Sequence, residues 1–158
     1  MKVYADTSFL VKLLVEEPDT AAAVAEYRSL GRPPVLFLPL HELEVTNAIR
    51  QRAFYQRHTA AASEKAAIRR ECDAALNMLQ KFIARQVFVA AAADLEPGMQ
   101  RALQLSAKHT ERLGCRGFDL LHVALALELG CDTFLTADRN QAALARAEGL
   151  KVQVVAGA

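Results

Sequence analysis

The feature that most constrains the fold is the alternation of short apolar runs with longer helical runs. Five short, nearly apolar runs are typical of buried strands, at residues 2–5, 35–38, 86–90, 132–136 and 151–155. Helical patterning is found between them, at residues 8–16, 19–30, 41–57, 60–85, 94–112, 118–129 and 138–149. Strands that alternate with helices in this way need right-handed crossover connections. The sequence therefore predicts an α/β fold in which helices cover both faces of a parallel sheet.

Length and composition indicate one globular domain without a membrane anchor. The chain has 158 residues, 53% of them apolar, which is enough to bury a full core. We expect residues 1–158 to form a single domain. No apolar run reaches the roughly 18–20 residues of a membrane span, and Asp6 interrupts the segment that a signal peptide would need. The chain is thus expected to be soluble and cytoplasmic.

Four acidic residues occur where predicted strands end, which is where open α/β sheets bind ligands. Asp6 directly follows the first strand, and Asp138 comes just after the fourth. Glu44 lies in the first turn of the helix after the second strand, and Asp119 opens the helix before the fourth. A single acid early in a helix is commonly a cap, but Asp6 has apolar neighbours and needs a strong partner. Together the four acids predict one acidic crevice.

A crevice of this kind predicts a bound divalent cation. Carboxylates gathered together repel one another unless a cation is present. Because all the ligands are oxygens, we expect a hard cation, Mg²⁺ or Mn²⁺. Such an ion activates water and stabilises charge on phosphorus, which indicates phosphodiester hydrolysis. If four of the 18 acidic residues lie in the crevice, 14 remain against 19 basic residues, a balance that suits a polyanionic substrate.

Three segments carry a pattern that resembles a known family: VYADTSFLVKLL, ELEVTNAIRQ and GFDLLHVALALELGCDTFLTADRNQAALARAEGLKV. Together they resemble the PIN domain family and, more narrowly, the VapC toxins of bacterial VapBC toxin–antitoxin pairs. The resemblance extends over residues 2–153. It implies a three-layer α/β/α sandwich with a mostly parallel central sheet and a Mg²⁺- or Mn²⁺-dependent ribonuclease site. The family's four acids match Asp6, Glu44, Asp119 and Asp138.

The same resemblance implies partners for the chain. Members of this family often dimerise and are neutralised by an antitoxin whose tail enters the acidic groove. We therefore expect an RNA substrate, a small VapB-like antitoxin and a homodimer. The predicted helix at 60–85 lies in a region that is longer than in compact members. It is a candidate for contacts with the second subunit, the antitoxin or the substrate.

Several polar residues are candidates for supporting the four acids. Thr136, Thr7 and Ser8 can hydrogen-bond a carboxylate or a metal-bound water, although local capping explains Thr7 and Ser8 equally well. Asn47 lies one turn after Glu44 on the same helical face. A histidine in a similar position, His122, lies one turn after Asp119. Its apolar flanks favour a buried histidine over a role in proton transfer.

Three arginines are candidates for contacts with RNA phosphates. Arg116 and Arg139 flank two of the acids in the sequence, whereas Arg50 begins a basic segment, residues 50–70, that also holds Tyr55. Phosphate contact and base stacking fit this composition. A solvated face or packing within a dimer explains segment 50–70 as well.

Two other functions that use acids near the first strand need residues that this chain lacks. A phosphohydrolase of the haloacid-dehalogenase type needs a second Asp two residues after the first, where this chain has Ser8. A receiver-type switch needs paired acids near the first strand, and Asp6 has no such pair. Two alternatives within the resemblance stay open: RNA processing outside a toxin–antitoxin pair, and a non-catalytic module that binds RNA or protein.

Overall fold

The computed structural model describes residues 1–155 and contains a five-stranded sheet whose paired strands all run parallel. The strands are β1 (Val3–Ala5), β2 (Val35–Phe37), β3 (Phe88–Ala90), β4 (Thr133–Thr136) and β5 (Lys151–Val154). The helices are α1 (Thr7–Lys12), α2 (Thr20–Ser29), α3 (Pro39–Thr59), α4 (Lys65–Ala84), α5 (Leu95–Leu113), α6 (Gly117–Glu128) and α7 (Arg139–Ala147). The predicted α/β sandwich is confirmed, with a sheet that is parallel throughout these residues.

The strand order β3-β2-β1-β4-β5 places β1 in the middle of the sheet. Val3 of β1 lies opposite Val35 of β2 on one side and opposite Thr133 of β4 on the other. All residues of β1 are buried. The chain moves outward from β1 through β2 to β3 and then returns to β4 on the opposite side of β1. The carboxyl ends of β1 and β4 therefore border the crevice where this fold class binds ligands.

The core consists of two apolar clusters, one on each face of the sheet. Val3 and Ala5 belong to the cluster formed with α1 to α4, whereas Tyr4 between them belongs to the cluster formed with α5 to α7. This division follows from the alternation of side chains along a strand. Helices thus cover both faces, which gives the three layers that the sequence predicted. None of the helices within residues 1–155 is long and apolar enough to cross a lipid bilayer.

Two helix boundaries differ from the sequence prediction. Helix α1 ends at Lys12 rather than near residue 16, because the Thr20 hydroxyl donates to the Val15 carbonyl and accepts from the Glu17 amide, which stabilises a turn. Helix α4 begins at Lys65 rather than near residue 60. Residues 156–158, which the single-domain prediction over 1–158 includes, lie outside the described residues.

Candidate active site

A cavity of about 340 Å³ lies at the carboxyl ends of β1 and β4, and all four predicted acids line it. Each acid comes from a different part of the fold: Asp6 from the end of β1, Glu44 from α3, Asp119 from α6 and Asp138 from the start of α7. A cavity of about 440 Å³ between α3 and α4 is larger, but it lies away from the strand ends. The acidic cavity is therefore the one that fold class and sequence both indicate.

Asp6 is the most rigidly held of the four acids. It is 4% exposed and caps α1, with Oδ1 accepting from the backbone amide of Phe9 at 2.9 Å. Its Oδ2 accepts from the Thr136 hydroxyl at 2.7 Å, and the Ser8 hydroxyl lies 2.8 Å from both carboxylate oxygens. Burial raises the pKa of Asp6, and the hydrogen bonds from Thr136, Phe9 and Ser8 offset only part of that effect. The result is an oriented carboxylate whose charged form a nearby cation would stabilise.

The turn after β4 is tied to the start of α1 by two hydroxyl groups. The Thr136 hydroxyl accepts from the Asp138 amide at 2.9 Å, and the Ser8 hydroxyl accepts from the Ala137 amide at 3.0 Å. Each hydroxyl thus joins the Asp6 carboxylate to the backbone that carries Asp138. Thr136 and Ser8 thus lie in hydrogen-bond contact with Asp6, and their supporting role stays a prediction.

Gln141 is a site residue that the sequence analysis did not single out. It is 1% exposed, and its side-chain Nε2 donates to the backbone carbonyl of Asp119 at 3.2 Å. Its backbone amide donates to Asp138 Oδ1 at 2.9 Å, which caps α7. Gln141 therefore connects the segments that carry two of the acids. Its position three residues after Asp138, on the same helical face, was the available signal.

Asp119 is paired with Arg116 at the start of α6. Asp119 Oδ2 accepts from the backbone amide and from Nε of Arg116, both at 3.0 Å. The guanidinium also lies 3.7 Å from Asp138 Oδ2, and the Arg116 side chain is 77% exposed. The hydrogen bond from Arg116 to Asp119 and the charge of that acid raise the pKa of Arg116. In this structure the arginine predicted to contact RNA therefore balances the charge of two acids.

Glu44 is fixed by residues from two other elements. Its Oε2 accepts from the Thr7 hydroxyl at 2.9 Å and lies 2.6 Å from His122 Nε2. Partial burial raises the pKa of Glu44, but the bonds with His122 and Thr7 outweigh it, so the net shift is downward. Glu44 is thus an ionised carboxylate at neutral pH. The neighbouring Glu42 is exposed and does not line the cavity.

His122 is a buried histidine, as its apolar flanks predicted, and it also forms a hydrogen bond with the site acid Glu44. It is 3% exposed, and its Nδ1 lies 2.9 Å from the hydroxyl of Tyr4 on β1. Tyr4 was not predicted to take part in the site. A tyrosine within an otherwise apolar buried strand was the only hint, because its hydroxyl needs a polar partner.

The sequence matches the PIN domain family model over residues 3–147, almost the whole chain. The chain belongs to the PIN domain family. A comparison with curated proteins gives no match to this chain. PIN domains are generally nucleases, and they typically depend on divalent metal ions. Membership of this family therefore agrees with the acidic cavity at the strand ends.

Three predicted residues of the PIN domain lie away from the cavity wall. Asn47, Arg50 and Arg139 are exposed, and none of them lines the cavity. No hydrogen bond or ion pair joins their side chains to a site acid within residues 1–155. Their supporting and RNA-binding roles stay predictions.

The donors of this PIN domain fit a hard divalent cation in chemistry, because all four are carboxylates. Their placement does not form a complete coordination shell. Within residues 1–155, no group of three or more His, Cys, Asp or Glu side chains is arranged to hold an ion jointly. The Arg116 guanidinium lies beside Asp119 and Asp138 instead. Joint coordination by the four acids therefore requires Arg116 to move away from Asp119.

Proposed function

We propose that this PIN domain is a metal-dependent endoribonuclease and acts as the VapC-like toxin of a type II toxin–antitoxin pair. The observation that carries the proposed cleavage is that four carboxylates from four separate elements line one cavity at the strand ends. Mg²⁺ or Mn²⁺, when bound there, would activate water for attack on a phosphodiester and stabilise the charge that develops on phosphorus. The proposed ligands are Asp6, Glu44, Asp119 and Asp138.

The residues around the acids support this proposal by holding them in place. Ser8 and Thr136 restrain Asp6, and Thr7 and His122 restrain Glu44. Groups that are already oriented need little reorganisation when the charge of the reaction develops. The raised pKa of Asp6 acts in the same direction, because a cation nearby favours the charged form that burial disfavours.

RNA is the proposed substrate because the motifs resemble ribonucleases of this family and because cationic side chains are available beside the cavity. Arg116 is exposed and lines the cavity, so its guanidinium can pass from Asp119 to a substrate phosphate. Arg139 and Arg50 are exposed and not paired with a site acid, and they remain candidates for contacts farther along the strand. A protein acting on RNA in this way would work in the cytoplasm.

A VapB-like antitoxin and a second subunit are the proposed partners. The support is the motif resemblance together with a group of exposed apolar side chains on α5 and α6. Its members are Leu95, Met99, Leu103 and Phe118, each more than half exposed. Large apolar side chains that cluster on a surface are typical of protein interfaces. This group continues into the cavity wall through Phe118.

Cleavage is tested with purified protein and single-stranded and structured RNAs in Mg²⁺, Mn²⁺ or EDTA. We expect cleavage only with metal, and Asp6→Asn and Glu44→Gln should each reduce it by roughly a hundredfold or more. Glu42→Gln is the matched control, since it removes an exposed acid two residues from Glu44. Equal cleavage by wild type in EDTA, or by Asp6→Asn with metal, would refute the metal-nuclease proposal.

The toxin role needs a separate test in growing bacteria. Induced expression of the wild type should stop growth, whereas Asp6→Asn should not. Co-expression of a small protein encoded directly upstream should restore growth. If purified protein cuts RNA but its expression leaves growth unchanged, the toxin role is rejected and RNA processing is the better account.

A further inference from the structure

A chain of hydrogen bonds runs from the core of the protein to one acid of the cavity. The hydroxyl of Tyr4 lies 2.9 Å from Nδ1 of His122, and Nε2 of the same ring lies 2.6 Å from Oε2 of Glu44. The three residues belong to β1, α6 and α3. Tyr4 and His122 are 118 positions apart, and His122 and Glu44 are 78 apart. Local capping cannot explain a chain of this kind, because each contact depends on the tertiary fold.

The partners of the ring determine which way its hydrogens point. Glu44 is a carboxylate that accepts hydrogen bonds, so the hydrogen between Glu44 and His122 belongs to Nε2. The Tyr4 hydroxyl then donates to Nδ1 of the neutral ring. This arrangement satisfies the Tyr4 hydroxyl, both ring nitrogens of His122 and Oε2 of Glu44. We expect His122 to be the neutral tautomer with its hydrogen on Nε2.

A second buried histidine, His41, packs beside these hydrogen bonds without joining them. The ring of His41 stacks on His122 with centroids 5.2 Å apart, and it also contacts Tyr4 at 4.8 Å. Its Nε2 has no hydrogen-bond partner within residues 1–155. His122, by contrast, uses both ring nitrogens, and one of them reaches a site acid. Packing and the cap of α3, where Nδ1 accepts from the Leu38 amide, account for His41, but they do not explain the bond between His122 and Glu44.

Glu44 has more need of such support than Asp6. Its side chain is longer and 24% exposed, so fixing it costs more conformational entropy. Thr7 and His122 both bond Oε2. Within residues 1–155, Oε1 takes no hydrogen bond. One carboxylate oxygen of Glu44 is therefore restrained while the other is left for a further ligand.

We propose that Tyr4 and His122 are positioning residues that hold Glu44 with Oε1 free to bind the divalent cation. This inference rests on the metal-dependent function proposed above and adds two residues to its four acids. Both act through Glu44, and neither is proposed as a ligand of the cation. A hydrogen bond to Oε2 is stronger when the Glu44 carboxylate is ionised. It therefore favours the ionised form, which is the form that binds metal.

The first test measures Mn²⁺ affinity of the full chain by titration calorimetry and electron paramagnetic resonance. His122→Asn removes the Nε2 donor and should weaken Mn²⁺ binding roughly tenfold to a hundredfold. His122→Gln places an amide nitrogen near the former Nε2 and should restore most of the affinity. Tyr4→Phe keeps the ring that stacks on Phe134 and loses only the hydroxyl, so a smaller loss is expected. His109→Asn is the matched control and should leave Mn²⁺ affinity unchanged, because it changes a buried histidine that bonds Glu148 and no acid of the cavity.

The second test observes the ring of His122 directly, by long-range ¹H–¹⁵N correlation spectra of the metal-free protein. The expected pattern is an unprotonated Nδ1 and a protonated Nε2. Tyr4→Phe should keep the hydrogen on Nε2, because Glu44 still accepts from it. A hydrogen on Nδ1 in the wild type would overturn the positioning chain. Wild-type Mn²⁺ affinity in folded His122→Asn would overturn this inference alone. No Mn²⁺ binding by the wild type would overturn the proposed function together with it.

Discussion

His41 makes a quantitative prediction about stability in acid. The side chain is fully buried, and its Nδ1 accepts from the backbone amide of Leu38 at 3.0 Å at the start of α3. Burial is the main cause that lowers the pKa of His41 from 6.5 to about 3, and an interaction with the backbone of Ala5 opposes a smaller part of this shift. The ring is therefore neutral in the folded protein at every pH near neutrality.

The pH window and the size of the effect follow from that shift. In the unfolded chain the ring takes up a proton near pH 6.5, whereas in the fold it stays neutral until about pH 3. The unfolded state binds more protons between these values, so the stability that this residue contributes above pH 6.5 is lost as the pH falls. Between pH 7 and pH 5 the loss from His41 comes to about 2 kcal/mol. A typical domain has only about 5–15 kcal/mol in total.

Urea unfolding at pH 7, 6 and 5 measures this loss in the wild type and in His41→Asn. The Asn Oδ1 can accept from the Leu38 amide, so the variant keeps the helix cap but has no titrating ring. It should be less stable at pH 7, because it leaves space in the core, and its stability should fall by about 2 kcal/mol less between pH 7 and pH 5. Parallel pH curves for the two proteins would refute the claim that His41 stays neutral in the fold.

Three further substitutions test other contacts. In Gly98→Ala the new Cβ would lie 2.6 Å from Leu125 Cδ2, so overpacking should lower the free energy of unfolding by about 1–3 kcal/mol; an unchanged urea midpoint would contradict the close approach of α5 to α6. In Arg116→Ala, Mn²⁺ should bind several-fold more tightly by calorimetry and the KM for RNA should rise, whereas unchanged Mn²⁺ affinity would mean that this guanidinium does not compete with the ion. In Thr136→Val, the lost 2.7 Å bond to Asp6 should cost about 1–3 kcal/mol of unfolding free energy, and Thr136→Ser should recover most of it.

The sequence was sufficient to predict the sheet and the place of the acids for a physical reason. Strands buried on both faces must be apolar throughout, so a polar residue that ends such a strand stands out. Asp6 could be singled out because nothing in its apolar surroundings explains an acid. Asp138 followed from the same reasoning at the end of β4. The layers then followed from chain connectivity, since parallel neighbours need crossover helices.

The contacts inside the site were beyond the sequence because they join residues far apart in the chain. Helical spacing places His122 on the face of Asp119, but the structure bonds it to Glu44, which is 78 positions away. Spacing likewise does not reveal that Gln141 bonds the Asp119 carbonyl across 22 positions. The apolar residues after Lys12 look helical, and only the hydroxyl of Thr20 shows why the chain turns there.

The central position of β1 has a consequence for the protein during its synthesis on the ribosome. The hydrogen bond between Thr136 and Asp6 joins residues 130 positions apart, and β1 has no partner on that side until β4 exists. Asp6 and Glu44 leave the ribosome early in synthesis, whereas Asp119 and Asp138 belong to the last third of the chain. A nascent chain that has not yet reached Asp119 therefore holds two of the four cavity acids and cannot form the complete cavity. If the protein is the proposed nuclease, we expect a product truncated before β4 to lack activity, and the growing chain to gain activity only when its last third has been made.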